Sequence, residues 1–134
     1  MGADNTLNRL VYLFQNLVEI ETRALERNLG EAYFLKSINT ELREIIMIFH
    51  LSTDLLRTAQ YIKEEHIQEY YTLVYEKINE MRKNIDKNTK AMQTLCTYIK
   101  DSNALAFVDD AIQLSNLIVN AIEKTIDTGQ YREQ

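Results

Sequence analysis

The sequence predicts an all-α protein, and three observations favour that fold class. The 134 residues contain no proline and only three glycines, so little in the chain interrupts a helix. Good helix formers such as Leu, Glu, Lys and Ala are frequent. Apolar residues recur at three- and four-residue spacing over most of the chain. We therefore expect an antiparallel up-down-up-down four-helix bundle that forms a single domain over residues 1–134.

The first helix is predicted over residues 5–29. Asp4 or Asn5 can cap its amino end, and Gly30 follows it as a helix stop. Its expected apolar face comprises Leu7, Leu10, Val11, Phe14, Leu17, Val18, Ala24 and Leu25.

The second and third helices are predicted over residues 40–65 and 67–100, after cap-forming residues at 37–40. The third helix has the most regular apolar seam in the chain, with steps that alternate between three and four residues. That seam comprises Ile67, Tyr71, Val74, Ile78, Met81, Ile85, Asn88, Met92, Leu95 and Ile99. No glycine or proline marks the junction, so one continuous helix of about 90 Å is the alternative to a bend.

A fourth helix is predicted over residues 103–127. Asp101, Ser102 and Asn103 supply cap formers immediately before it. Its expected core face comprises Ala104, Leu105, Val108, Ala111, Ile112, Ser115, Ile118, Val119 and Ile122.

Composition argues against several classes of function. The net charge of −5 and the scattered lysines and arginines disfavour binding to nucleic acid. The longest uninterrupted apolar runs have only a few residues, such as 45–49, so we expect no membrane span. A single cysteine, Cys96, cannot form an internal disulfide, and this fits a cytoplasmic setting.

No catalytic motif is present, and we expect neither enzymatic activity nor a cofactor. A di-iron bundle needs two Glu-x-x-His pairs. The only histidines are His50 and His66, and Met47 and Lys63 stand three residues before them. One cysteine and two histidines are also too few for a structural zinc site.

Four polar residues interrupt the apolar seams at similar heights along antiparallel helices: Glu21, Ser52, Asn88 and Ser115. One interpretation is a polar layer in the core that binds an ion or senses a partner. A second is that Asn88 sets helix register. The alternative is that Glu21 and Asn88 lie at the rim with their polar groups in water.

Tyrosines cluster early in the third helix. The spacing places Tyr71 in the core, whereas Tyr70 and Tyr75 could be exposed and mark a contact surface. The alternative is that all three are buried or half-buried, since helical spacing alone places aromatic residues there.

The segment Glu41–Glu64 resembles the repeat helix of PhoU-like proteins, the phosphate-uptake regulators. That helix reads D-L-R, then S-D-L-E-R, and Leu42-Arg43, Asp54-Leu55 and Arg57 match its spacing. Residues 100–106, KDSNALA, resemble the element before the final acidic helix of the family. The resemblance implies a helical bundle like the domain at the carboxyl end of sodium/phosphate cotransporters.

The family binds iron or zinc through an E/D-x-x-x-D motif, and this chain has Leu56 and Gln60 at those positions. We therefore expect no bound metal, with Asp54, Asp109 and Asp110 as the remaining candidate ligands.

The resemblance implies a non-enzymatic regulatory or protein-interaction bundle linked to phosphate or ion transport. Its partner would be a transporter, or a second copy of the chain. The alternatives are an export or secretion chaperone and, if the second and third helices are continuous, a dimeric coiled-coil assembly protein.

Overall fold

Four α-helices and two short 3-10 turns make up residues 3–127, the part of the chain that the computed structural model describes. The helices are α1 (Ala3–Glu26), α2 (Glu31–Thr58), α3 (Ile67–Cys96) and α4 (Ser102–Asp127), and no strand occurs within residues 3–127. The prediction of an all-α protein with four helices is therefore confirmed.

The helices form a closed ring in chain order. Each helix packs against the next one and α4 packs against α1, whereas the diagonal pairs, α1 with α3 and α2 with α4, approach one another less closely. As residue numbers increase along α3, those of the bonded residues on α2 decrease: Tyr70 bonds to Leu55, and Asn88 bonds to Glu41. Antiparallel neighbouring helices produce this order.

The core lies along the axis of the ring and is built from one face of each helix. The predicted faces of α3 and α4 supply buried residues throughout, including Ile85, Met92 and Val108. The apolar residues that are less than 1% exposed come from all four helices: Leu10, Leu13, Leu17, Ile38, Leu42, Ile45, Val74, Ile85, Met92, Ala104, Val108 and Ala111.

The predicted apolar face of α1 was partly wrong. Val18 and Leu25 are 36% and 46% exposed, whereas Leu13 and Ile20 are buried. Two apolar stripes overlap on this helix, and the stripe that contains Leu13 and Ile20 faces the other helices. Periodicity alone does not distinguish the two stripes, because both have helical spacing.

Helix α1 ends earlier than predicted, and Asn28 rather than Gly30 ends it. Asn28 has a φ of 56°, in the left-handed region. The Leu29 N–H donates to the Ala24 carbonyl at 2.9 Å, and the Asn28 N–H donates to the Leu25 carbonyl at 3.1 Å. These two bonds form a Schellman motif, in which asparagine is the common substitute for glycine. Gly30 has ordinary helical angles, with φ −61° and ψ −28°.

Helix α2 begins at Glu31 instead of near residue 40. Residues 37–40, which were predicted to cap the second helix, lie inside it. There the Ser37 and Thr40 hydroxyls donate to the carbonyls of Tyr33 and Lys36. The Glu31 carboxylate accepts hydrogen bonds from the N–H groups of Lys100 and Asp101, at 2.8 and 3.0 Å. The start of α2 is thus tied to the connection between α3 and α4.

The second and third helices are separate, so the alternative of one continuous helix is wrong. Two 3-10 turns, Ala59–Tyr61 and Glu64–His66, follow Thr58, and Ile62 and Lys63 between them are extended. The Tyr70 hydroxyl donates to the Leu55 carbonyl at 2.7 Å. Leu55 is among the last four residues of α2, whose carbonyls have no partner in their own helix. Tyr70 therefore helps to satisfy that end.

The connection from α3 to α4 is longer than predicted because α3 ends at Cys96 instead of residue 100. Asp101 then caps α4: its Oδ1 accepts the Ala104 N–H at 2.9 Å, as an N-cap carboxylate does. Within the described residues, Ser102–Lys124 is the one segment whose length and composition would suffice to cross a membrane, a property that core helices of soluble proteins share.

The turn between α1 and α2 yields a first prediction. Replacing Asn28 with Val should cost about 1–2 kcal/mol of unfolding free energy, because an L-residue with a branched side chain is strained at positive φ. Asn28→Gly should leave stability unchanged or raise it. Urea unfolding followed by circular dichroism measures both changes.

Gly30→Ala is the matched control for this turn. An added Cβ would meet no atom within 4 Å, and the backbone is already helical. It should therefore stabilise the fold by about 0.5–1 kcal/mol through lower entropy of the unfolded chain. A loss of stability on Gly30→Ala, with no loss on Asn28→Val, would contradict this account of the turn.

Candidate functional site

The side chain of Asn88 connects α3 to α2. It is buried, and its Nδ2 donates to Glu41 Oε1 at 2.8 Å and to Glu44 Oε2 at 3.2 Å. The amide is therefore shared between two carboxylates that lie one helical turn apart on α2. Hydrogen bonds to charged groups are stronger than neutral ones, so this pair of bonds holds the register of the two helices.

Glu21 forms a separate connection between α1 and α2. It is half-buried and accepts a hydrogen bond from Asn39 Nδ2 at 2.8 Å. Asn39 is 5% exposed, and its Oδ1 has no hydrogen-bond partner. Sequence reasoning missed Asn39 because the residue was assigned to the cap before the second helix.

The two serines of the predicted polar layer satisfy their hydroxyls within their own helices. Ser52 Oγ donates to the Phe49 carbonyl, and Ser115 Oγ donates to the Ala111 carbonyl, each at 2.8 Å. No hydrogen bond links any two members of the predicted layer, Glu21, Ser52, Asn88 and Ser115. The structure therefore distributes these groups over separate local bonds instead of assembling an ion site from them.

The three candidate metal ligands also have separate neighbours. Asp110 forms an ion pair with Arg9 at 3.1 Å, and Asp109 accepts a bond from Gln113 at 2.9 Å. Asp54 lies 3.7 Å from His50 Nε2, one turn earlier on α2. Among residues 3–127, no three His, Cys, Asp or Glu side chains are grouped so that they could hold a metal ion.

The tyrosines at the start of α3 are less exposed than the proposed contact surface requires. Tyr70 and Tyr75 are both half-buried and pack against Val74 and Ile78. Tyr70 also uses its hydroxyl to bond the end of α2. The most exposed tyrosine that the structure describes is instead Tyr61, in the turn between α2 and α3.

Cys96 ends α3 and packs, half-buried, against the main core. Burial raises the pKa of its thiol above the ordinary value of 9.0, and the negative charge of Asp109 on α4 raises it further. Both effects disfavour the thiolate, which is the reactive form of cysteine. The site therefore makes Cys96 a poor nucleophile.

A recess of about 290 Å³ lies where the end of α1 meets the starts of α2 and α4. Arg23 and Arg27 line it, together with the carboxylates of Glu31 and Asp101. Both carboxylates already accept backbone N–H groups. Because two cations are balanced by two anions, the recess has no net formal charge that would select a ligand.

The outer face of α2 carries large apolar side chains that no other helix covers. Tyr33, Met47 and Leu51 are 70%, 57% and 51% exposed. They lie 14 and 4 residues apart, which places them on one side of the helix, opposite the buried Leu42 and Ile45. We call these three residues the α2 stripe. The helical spacing of Met47 and Leu51 is visible in the sequence, but the sequence prediction considered only the apolar residues expected in the core.

Comparison of the sequence with protein-family models, with curated proteins and with solved structures gives no match.

The Asn88 bonds predict a loss of stability on Asn88→Asp. The substitution removes an amide donor and adds a third carboxylate beside Glu41 and Glu44. It should cost about 2 kcal/mol at pH 7, in line with an unpaired polar group near like charges. Because repulsion would raise the pKa of the new carboxyl in the folded state, the cost should shrink as the pH falls toward 4.

Asn116→Asp is the control, since Asn116 is exposed on α4 and the change in charge is the same. It should alter the unfolding free energy by less than about 0.5 kcal/mol. Urea unfolding at several pH values measures both variants. Equal effects of the two substitutions at pH 7 would show that Asn88 does not hold the two helices together.

The Cys96 environment predicts slow alkylation at neutral pH. The pH profile of the reaction with iodoacetamide should give an apparent pKa above 9.0 for the folded protein. Asp109→Asn should lower that pKa, because it removes the neighbouring charge. Asp110→Asn is the control, since Asp110 faces Arg9 and should leave the profile unchanged. A profile that is insensitive to Asp109→Asn would contradict the assigned cause.

Proposed function

We propose that this chain is a non-enzymatic protein-interaction bundle and that the α2 stripe binds an amphipathic helix of a partner protein. The observation that supports the proposal is the stripe itself, three large and mostly exposed apolar side chains on one helix face. Met47 and Leu51 are one turn apart, and grouped exposed apolar residues are typical of binding surfaces, whereas single ones are common on any protein. Tyr33 lies about 21 Å from Met47 along the helix, beyond the exposed polar residues Lys36, Thr40 and Arg43.

The dimensions of the stripe suit a helical partner. At 1.5 Å per residue, Tyr33 and Leu51 are separated by about 27 Å along α2. A partner helix of roughly 18 residues spans that length and would contact it through apolar side chains three and four residues apart. The exposed polar residues Arg43 and Asp54 accompany the stripe and supply charges for orientation.

The partner that we propose is linked to phosphate or ion transport. This part of the proposal is supported by the PhoU-like pattern of residues 41–64, most of which lies on α2, the helix that carries the stripe. The bundle would then be a regulatory domain that docks on a transporter or on a component that controls one. A role as an export chaperone would use the same surface with a different partner, so the identity of the bound protein separates the two.

The alternative of a coiled-coil assembly protein is not supported, because its structural condition is not met. That function required one helix through residues 40–100, and the chain is extended at Ile62 and Lys63. The two helices pack against one another instead of forming one rod.

A crosslinking experiment tests the α2 stripe. A photoreactive amino acid at Met47, introduced in the native host, should crosslink to a defined protein that mass spectrometry identifies. The same group at Asn116, exposed on α4, is the control and should not give that adduct. A transport component among the adducts would support the regulatory role, and a secreted or exported substrate would favour the chaperone.

The purified partner then allows a quantitative measurement. The variant Met47→Lys, Leu51→Lys should weaken binding by roughly 30-fold or more, which corresponds to the 2 kcal/mol of a central apolar contact. Its thermal unfolding should match that of the wild type, because both residues are exposed. Undiminished affinity, or equal crosslinking from Met47 and Asn116, would show that the stripe is not the binding surface.

A further inference from the structure

The solvent face of α3 is divided by charge into an acidic half and a basic half. Glu76 and Glu80 are exposed in the first half, and Lys83 and Lys87 are exposed in the second. Their spacing of four, three and four residues places all four on one side of the helix, opposite the buried Ile78 and Ile85. Glu69 extends the acidic half, and Lys90 extends the basic one.

Within one molecule this pattern places like charges next to one another. Glu76 and Glu80 are like charges four residues apart, and so are Lys83 and Lys87, an arrangement that destabilises a helix. The opposite charges of Glu80 and Lys83, three residues apart, offset only part of that effect. Across residues 3–127, none of these four side chains forms a hydrogen bond or an ion pair. By contrast, neighbouring residues are paired: Arg82 with Glu123, and Lys90 with Asp86, each at 3.1 Å.

An antiparallel copy of the same face supplies the missing opposite charges. We propose that two copies of this chain associate through the outer faces of their α3 helices, about a two-fold axis between residues 81 and 82. That axis places Glu76 opposite Lys87 of the second copy and Glu80 opposite its Lys83. Two-fold symmetry repeats both pairings, so the contact is self-complementary. The division of charge argues for a second copy over an unrelated partner because both halves of the contact lie on one helix.

The association should be weak and sensitive to salt. Exposed ion pairs contribute up to about 1 kcal/mol each and mainly determine orientation. The same axis places Leu73, which is 45% exposed, opposite Lys90, whose aliphatic stem can cover an apolar side chain. We therefore expect a dimer that forms at high protein concentration and low ionic strength and dissociates at about 0.5 M salt.

This inference does not rest on the proposed function. The α2 stripe and the charged face of α3 belong to different helices, so either surface could fail its test without affecting the other. A dimer through α3 would present two α2 stripes in one assembly, and a bivalent partner would then bind with increased avidity.

Sedimentation equilibrium at low and high salt measures the self-association. The wild type should be a dimer at low salt and a monomer at high salt. Glu76→Lys, Glu80→Lys makes all four of these positions basic, and Lys83→Glu, Lys87→Glu makes all four acidic. Each double variant alone should remain monomeric. An equimolar mixture should form heterodimers, which native mass spectrometry distinguishes by mass when one variant is labelled with ¹⁵N.

The combination of all four substitutions is the decisive control. It exchanges the two halves of the face, so opposite charges meet again and the homodimer should return. Circular dichroism checks that each variant is folded, and if one double variant fails to fold, the quadruple variant and the salt series still test the contact. A wild type that is monomeric at low salt, or a dimer that all the variants retain, would overturn the proposal.

Discussion

The fold depends on one constraint: the apolar face of α3 must lie against the apolar faces of its neighbours. As parts of one continuous helix, the faces of α2 and α3 could not cover one another. Burial of each Ile, Leu or Val in such a face contributes about 1.5–3 kcal/mol. Several such residues on α3, including Val74, Ile78 and Ile85, outweigh the helical hydrogen bonds lost where the chain breaks at Ile62 and Lys63.

Polar groups near the core are accommodated one at a time. Asn88 binds two carboxylates of α2, Asn39 binds Glu21 of α1, and Ser52 and Ser115 bind carbonyls of their own helices. Each of these side chains thus makes at least one hydrogen bond, although Asn39 Oδ1 has no partner, and the titratable groups are not gathered in one place. Among the described residues, no three His, Cys, Asp or Glu side chains are grouped so that they could hold a metal ion, and the two proposals above concern surfaces of the bundle.

Two of those surfaces differ in chemistry although their helices are neighbours. The outer face of α2 carries exposed apolar side chains among polar ones and suits contacts that gain affinity from burial, whereas the outer face of α3 is charged and suits contacts that gain orientation. If both proposals hold, such a division would let one small bundle bind a partner helix and a second copy of itself at the same time. Neither surface is needed to hold the four helices together, because both face away from the core.

Local pattern alone determined the helical class, the number of helices and the core face of α3, because periodicity records which residues must be buried. It also identified Asn88 as a polar residue in a seam. Tertiary structure decided which stripe of α1 is buried, where α2 begins and breaks, and that Glu41 and Glu44 are the partners of Asn88. These outcomes depend on the register between helices. Register is set by packing across the bundle and cannot be predicted from the spacing of residues along a single helix.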